Sequence, residues 1–127
     1  MSSKKLLKHY TKAKVDAATP QDTLLLLVRE AVRAAECARL EQDQAARNVL
    51  LNRSFRIVSE LSRALNLDYG GEMAFNMLRL YTFISRRLAA AMTGDDSGLP
   101  DALKILRHVC ETWEGAVKMA REQAGGS

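Results

Sequence analysis

LDYGGEMAFNMLRLYTFISRRLAAAM, residues 67–92, carries apolar side chains at helical spacing on more than one face. One line of apolar residues three or four apart runs through Met73, Met77, Leu80, Ile84 and Leu88. A neighbouring line contains Ala74, Leu78, Tyr81 and Met92, and Phe75 and Phe83 stand apart from both. One packed face cannot cover all of these side chains. The pattern therefore predicts a helix that is either buried on nearly all sides or binds a partner.

Composition indicates a single helical domain. The chain has 127 residues, of which 47% are hydrophobic and 27% charged, with only two prolines. A chain of this length buries roughly two-thirds of the surface that it exposes when unfolded, so it needs no disulfide or metal to fold. Its longest apolar runs, such as Leu24 to Val28, are far shorter than the roughly 20 residues of a membrane span. We expect no membrane insertion, and the absence of an apolar signal-peptide core predicts a cytoplasmic protein.

The net charge of +4 originates in the N-terminal segment. Five lysines precede every acidic residue, and the remaining 14 basic and 15 acidic residues nearly cancel. Five lysines around a single tyrosine form a weak phosphate-binding motif, so a solvated segment without a nucleic-acid partner is predicted.

Residues that carry chemistry are sparse. Cys37 and Cys110 fall among apolar residues of predicted helices, which favours small core residues over a disulfide in a cytoplasmic chain. His9 and His108 are 99 residues apart, and neither follows a glutamate by three positions as a di-iron bundle requires. The sequence also contains no glycine-rich phosphate loop, nucleophile elbow or Cys-x-x-Cys motif. We expect a binding protein that is not an enzyme and has no metal or cofactor.

Four long helices are predicted, over about residues 20–40, 44–65, 72–92 and 100–123. Their start signals are Thr19 before Pro20, Asp43, Glu72 after Gly71, and Ser97 before Pro100. The short polar loops between them force neighbouring helices to run antiparallel. The predicted fold is an all-α, antiparallel, up-and-down four-helix bundle over residues 19–123. It is preceded by a short helical arm, residues 1–18, and followed by a disordered tail, residues 124–127.

The second and third helices carry more apolar residues than a bundle helix needs, which is about three in seven. The surplus residues are Leu51, Phe55, Val58, Phe75, Leu80 and Phe83, and Leu25 and Val32 flank the core stripe of the first helix. Two interpretations remain open. The surplus is covered by Leu6, Leu7 and Tyr10 of the arm or by a second copy of the chain, or it forms a partner site.

The order of residues resembles the FliS family of flagellin-specific secretion chaperones. The resemblance extends from Tyr10 through ATPQDTLLLL, residues 18–27, to Trp113. Its most specific part is LNLDYGGEMAFNMLRLYTFISRRL, residues 65–88, in which the glycine pair, Glu72 and the Leu80-Tyr81 pair fall at the family's spacing. One departure occurs in the first helix, where Val28-Arg29-Glu30 stands in place of the family's usual Tyr-Asp-Gly.

The resemblance implies a chaperone that holds the disordered C-terminal segment of flagellin, prevents premature polymerisation and assists delivery to the flagellar type III secretion apparatus. With flagellin as the client that the resemblance implies, the apolar residues singled out by helical spacing are the expected flagellin-binding grooves: Leu25, Val32, Leu51, Phe55, Val58, Phe75, Leu80 and Phe83. The resemblance also implies that Leu6, Leu7 and Tyr10 of the arm lie over a groove until flagellin displaces them. Export-gate components or a co-chaperone are further expected partners, and the chain is expected to be a monomer or weak homodimer. The departure at Val28-Arg29-Glu30 leaves an alternative open, a helical adaptor or dimerising bundle without flagellin as client.

Overall fold

The computed structural model describes residues 20–65 and 67–125, which form four α-helices. These are α1 (Pro20–Leu40), α2 (Gln44–Ala64), α3 (Leu67–Met92) and α4 (Leu99–Gly125). Within the described residues no strand occurs, and the all-α prediction is confirmed. The predicted cap Thr19 and the predicted arm residues Leu6, Leu7 and Tyr10 lie outside the described residues. Helix α4 continues to Gly125, two residues beyond its predicted end at Gln123.

Each helix packs on the next along the chain, and α4 returns to pack on α1. The connections are short: residues 41–43 join α1 to α2, and residues 93–98 join α3 to α4. This arrangement is the up-and-down bundle predicted from loop length, with α1 and α3 on one diagonal and α2 and α4 on the other. In the part of the chain that the structure describes, no helix is both long and apolar enough to cross a membrane.

Two helix caps are predicted at Asp43 and Ser97, and the structure contains the first but not the second. The Asp43 backbone is extended, and its carboxylate accepts a hydrogen bond from the Ala46 N–H at 2.9 Å, which confirms the predicted cap of α2. Ser97 does not cap α4. Its backbone N–H and its hydroxyl both donate back to Asp95, at 3.1 and 2.6 Å, and the helix begins at Leu99. These two hydrogen bonds from Ser97 lower the pKa of the Asp95 carboxyl.

The core is continuous through all four helices. Helix α1 contributes small residues that are completely buried and that allow close approach of its neighbours: Ala31, Ala34, Ala35 and Ala38. Helix α3 contributes a buried stripe with spacings of seven, three, four and three residues: Ala74, Tyr81, Ile84, Leu88 and Ala91. Met73, which the periodicity groups with Ile84 and Leu88, is 76% exposed. The line that Met73 begins therefore enters the core only further along α3, at Ile84 and Leu88, and Ala74 and Tyr81 of the neighbouring line face the core before it.

Two buried polar side chains of α2 bind carbonyl groups of α1. The Ser54 hydroxyl donates to the Ala31 carbonyl at 2.9 Å. The Arg47 Nε donates to the Ala38 carbonyl at 3.2 Å, and the same guanidinium forms an ion pair with Asp96 at 2.5 Å. Because both side chains are buried, each interaction satisfies a polar group that would otherwise destabilise the core.

The two cysteines are free thiols in different environments. Cys110 is buried, as predicted, and desolvation together with the neighbouring Glu114 raises its pKa to about 11. The prediction that Cys37 belongs to the core is wrong. The buried line of α1 passes through Ala34, Ala35 and Ala38, which leaves Cys37 exposed beside the Arg33 guanidinium, 3.7 Å from its sulfur.

Helix α3 is interrupted near its start. Gly71 has φ 59° and ψ −144°, a conformation almost restricted to glycine. The regular helix therefore begins at Glu72, where the sequence predicts a helix start, and a single turn from Leu67 to Gly70 precedes it.

We expect Gly71→Ala to lower the free energy of unfolding by about 1 to 3 kcal/mol, because alanine is strained in this conformation. No atom lies within 4 Å of the added Cβ, so the cost is a backbone cost. Gly115→Ala is the matched control: Gly115 has equally open surroundings inside α4 and no positive φ. There alanine should raise the free energy of unfolding by roughly 0.5 to 1 kcal/mol. Urea denaturation measures both variants, and changes of the same sign would contradict the interpretation.

Candidate binding surface

The eight residues predicted to form grooves separate into core and surface positions. Leu51 and Val58 are completely buried and Leu25 is 6% exposed, so these three lie inside the bundle. Ser54 is also fully buried, which shows that the line 51, 54, 58 of α2 is its core stripe rather than a second, outward face. Leu25, Leu51 and Val58 offer almost no surface to a partner in the folded bundle. Their role in binding flagellin stays a prediction.

The other five predicted residues are at least partly exposed. Phe75 is the most accessible, with 49% of its surface exposed. Val32, Phe55 and Leu80 are partly buried and pack against the core. Phe83 is also partly buried, and its ring lies under the Arg87 guanidinium at 5.1 Å. These residues combine structural contacts with accessible apolar area.

Two adjoining grooves form one continuous surface on α2 and α3. The first groove, about 400 Å³, lies between the helices, and its lining includes Phe55 and Ser59 of α2 and Ser85 and Ala89 of α3. It meets the second at Thr82 and Arg86, which line both grooves. The second groove, about 530 Å³, extends along α3 and is lined also by Leu78, Arg79, Phe83 and Arg87. We call these two grooves together the α2–α3 surface.

A separate apolar pocket of about 420 Å³ lies at the end of the bundle where α3 begins. We call it the Met73–Trp113 pocket; its lining is Ala64, Leu65, Gly70, Met73, Ala74, Met77, Tyr81 and Trp113. The Trp113 indole N–H donates to the Tyr81 hydroxyl at 3.4 Å, and burial raises the pKa of Tyr81 despite this hydrogen bond. Methionine side chains adapt to irregular apolar partners, so this pocket suits an apolar anchor. Sequence analysis missed the pocket because helical spacing groups Met73 and Met77 with core residues.

Charge is distributed unevenly around the bundle. Helices α1 and α4 are joined by three ion pairs: Arg29–Glu114 at 3.3 Å, Arg107–Glu36 at 2.6 Å, and Arg121–Asp22. Residues 44–92, by contrast, carry seven arginines and only three carboxylates. The near balance of the chain beyond its lysines therefore conceals a positive α2–α3 half.

Three arginines of the α2–α3 surface, Arg79, Arg86 and Arg87, form no ion pair with the carboxylates whose side chains the structure describes, and Arg87 lies over the Phe83 ring. Arg79 donates only to the Asn76 side-chain oxygen, at 3.4 Å, and Arg86 lines both grooves. Within the same residues no cluster of three or more His, Cys, Asp or Glu side chains is placed to hold a metal ion. The α2–α3 surface is therefore an apolar groove with positively charged edges, which suits binding rather than acid–base chemistry.

Comparison with known proteins assigns the chain to a family. The family profile described as "Flagellar protein FliS" matches residues 3–120. The chain belongs to the FliS family. The flagellar secretion chaperone FliSB of Pseudomonas aeruginosa is 30% identical over 123 residues, covering 91% of this chain and 98% of the relative. The flagellar secretion chaperones FliS of Salmonella typhimurium and Vibrio cholerae are each 27% identical, covering 85% of this chain and 87% and 85% of the relatives, respectively.

These findings confirm the resemblance to FliS and identify a flagellar secretion chaperone. The structure also gives the Val28-Arg29-Glu30 departure a physical role in this FliS family member. Val28 is fully buried, Arg29 pairs with Glu114 of α4, and Glu30 pairs with Arg53 of α2 at 3.0 Å. The three residues thus connect α1 to both of its neighbours. Membership of a chaperone family implies binding rather than catalysis.

Proposed function

We propose that this FliS family member binds the disordered C-terminal segment of flagellin in the cytoplasm, prevents its premature polymerisation and delivers it to the flagellar type III export apparatus. The observation that carries the proposal is the α2–α3 surface with Phe75 beside it, where aromatic side chains remain accessible on a folded bundle. The family assignment supports the secretion role, and this surface supports the choice of an apolar client.

The energetics favour several dispersed anchors over a single pocket. Each apolar side chain that is fully buried on binding contributes about 1.5 to 3 kcal/mol, whereas ordering a disordered segment costs about 2 to 5 kcal/mol or more. One anchor therefore does not suffice. The α2–α3 surface and the Met73–Trp113 pocket both use residues of α3, so one segment that crosses α3 can reach both. An amphipathic segment held in this way has its polymerising face covered.

The core positions support this binding indirectly. Leu51 and Val58 anchor α2 in the core that the four helices share, and α2 in turn carries Phe55 to the groove. Among the five accessible members of the predicted set, the three aromatic ones, Phe55, Phe75 and Phe83, are the residues that we assign to client contact. Export-gate components and a co-chaperone are additional proposed partners.

Mixing the purified chain with the C-terminal segment of the host's flagellin tests the proposal. We expect a one-to-one complex on size exclusion with light scattering, and a helical circular dichroism signal greater than the sum of the separate components. The N-terminal segment of the same flagellin is the control and should not co-elute. Failure to form a complex with the C-terminal segment of any flagellin of the host would exclude the proposed client.

Oligomerisation is measured in the same experiment. A homodimer across the α2–α3 surface brings Arg79 and Arg86 of two copies together, and their like charges oppose that arrangement. We therefore propose a monomer as the client-free state. A dimer that survives Phe83→Asp would have to use a different face.

A further inference from the structure

The α2–α3 surface has charge complementarity as well as apolar area. We infer that it binds an acidic amphipathic helix, with apolar side chains along one face and carboxylates along its edges. The inference deepens the proposed function, on which it rests, because it specifies the chemistry of the client segment that lies on this surface.

The spacing of the arginines matches a helical partner. Arg79 and Arg86 are seven residues apart, so they lie on one side of α3 and are separated by about 10.5 Å along its axis. Two carboxylates seven residues apart on an aligned partner helix have the same separation. Between residues 73 and 92 helix α3 contains no acidic residue to compete for them. Phe83 lies between these two positions along α3, and Leu78, one residue before Arg79, lines the same groove.

The two arginines are available because neither is used inside the bundle. Arg87 differs from them: its guanidinium lies over Phe83, its side chain lies beside Gly98, and its charge acts on Asp95. Arg63, at the α2 edge of the surface, pairs with Glu60 at 3.2 Å. Arg79 and Arg86 are therefore the positions at which an ion pair with a partner carboxylate should contribute most to binding.

Other occupants fit this surface less well. The N-terminal segment brings five lysines against a single acidic residue, Asp16, and so carries charge of the same sign as the surface. A second copy of the chain brings the same arginines. A nucleic acid satisfies the arginines but leaves Leu78, which lines the groove, without an apolar partner. An acidic amphipathic helix satisfies the charges and the apolar groove together.

The test titrates the labelled flagellin C-terminal segment against the full chain by fluorescence anisotropy. The variant combines Arg79→Glu with Arg86→Glu, and its matched control combines Lys104→Glu with Lys118→Glu, which are exposed positions on α4. At about 50 mM salt, where surface charges are weakly screened, we expect the arginine reversal to weaken binding at least about tenfold. The lysine reversal should change affinity by no more than about twofold. Raising the salt to about 500 mM should weaken wild-type binding and shrink the difference.

The outcomes separate this inference from the proposed function. If the flagellin segment binds and neither salt nor the arginine reversal changes its affinity, the charge inference is overturned and the client assignment stands. If the flagellin segment does not bind at all, the client assignment is overturned. Two synthetic helices with identical apolar positions, one with glutamate and one with lysine along the edges, then test the charge inference.

A preference for the glutamate helix that disappears in the arginine reversal supports the inference. Equal binding of the two helices, or a preference for the lysine helix, overturns it. A single-stranded oligonucleotide serves as the competing polyanion. If it binds more tightly than the glutamate helix and depends on the same arginines, the surface is a nucleic-acid site and the inference is overturned.

Discussion

Leu51→Ala should lower the free energy of unfolding by about 2 to 5 kcal/mol, the usual cost of removing a fully buried leucine. Leu51 has no exposed surface and belongs to the core cluster shared by all four helices, so the bundle can close the resulting cavity only in part. Urea denaturation followed by circular dichroism measures the change. Val49→Ala on the same helix is the control, because Val49 is 69% exposed and its truncation should alter stability by no more than about 0.5 kcal/mol.

The same variant separates a core role from a groove role. Under conditions where Leu51→Ala remains folded, its affinity for the flagellin segment should stay close to the wild-type value, because Leu51 presents no surface. A large loss of affinity in the folded variant would show that Leu51 takes part in the groove after all. Comparable destabilisation by Leu51→Ala and Val49→Ala would contradict the assignment of Leu51 to the core.

Phe83→Asp should have its largest effect on binding. Removing this anchor and placing a carboxylate in the groove should weaken the flagellin complex about tenfold to a hundredfold, the equivalent of about 1.4 to 2.8 kcal/mol. Phe83 is already partly exposed in the free chain, and its contact with Arg87 contributes only about 0.5 to 1 kcal/mol, so the bundle should remain folded. Isothermal titration calorimetry measures the affinity, and a thermal melt checks the fold.

Met119→Asp provides the matched control for Phe83→Asp. Met119 is an apolar residue on α4 that is 62% exposed, and it lies outside both grooves of the α2–α3 surface. The same change to aspartate there should leave the affinity nearly unchanged. If Phe83→Asp binds with wild-type affinity, the α2–α3 surface is not part of the client site. If both variants lose affinity equally, the effect of the added charge is nonspecific.

Local signals predicted the helices well because caps and apolar spacing act within one or two turns. Asp43 caps α2 by a bond to a residue three positions away, and Leu40 ends α1 as expected. Ser97 shows the limit of such reasoning: its hydroxyl donates to the Asp95 carboxylate two residues back instead of accepting from the first N–H groups of α4. Competition among side chains of one turn is a matter of geometry that residue type alone does not specify.

The site was less predictable because helical spacing defines faces without their orientation around the bundle. Leu51 and Phe55 occupy one apolar line of α2, yet Leu51 is completely buried and Phe55 opens into a groove. Helical spacing likewise grouped Cys37 with the core residues of α1, although its side chain is exposed. The charge of the α2–α3 surface was equally hidden, because a sum over the chain cancels the arginines of α3 against carboxylates on other helices. Only the packing order of the helices separates these positions.

The Arg47 side chain of α2 binds a carbonyl at the C-terminal end of α1, so part of the capping of α1 comes from another helix. The last carbonyls of a helix need partners from outside its own hydrogen-bond ladder. Here the Ala38 carbonyl obtains one from a guanidinium nine residues further along the chain, and the same group holds Asp96 ahead of α4. The Glu41 backbone N–H also donates to the Ala38 carbonyl, at 3.3 Å, so a peptide of α1 taken alone would keep this local donor, lose the guanidinium and fray more readily. A scaffold that receives α1 should therefore offer a donor in the place of Arg47, which belongs to α2.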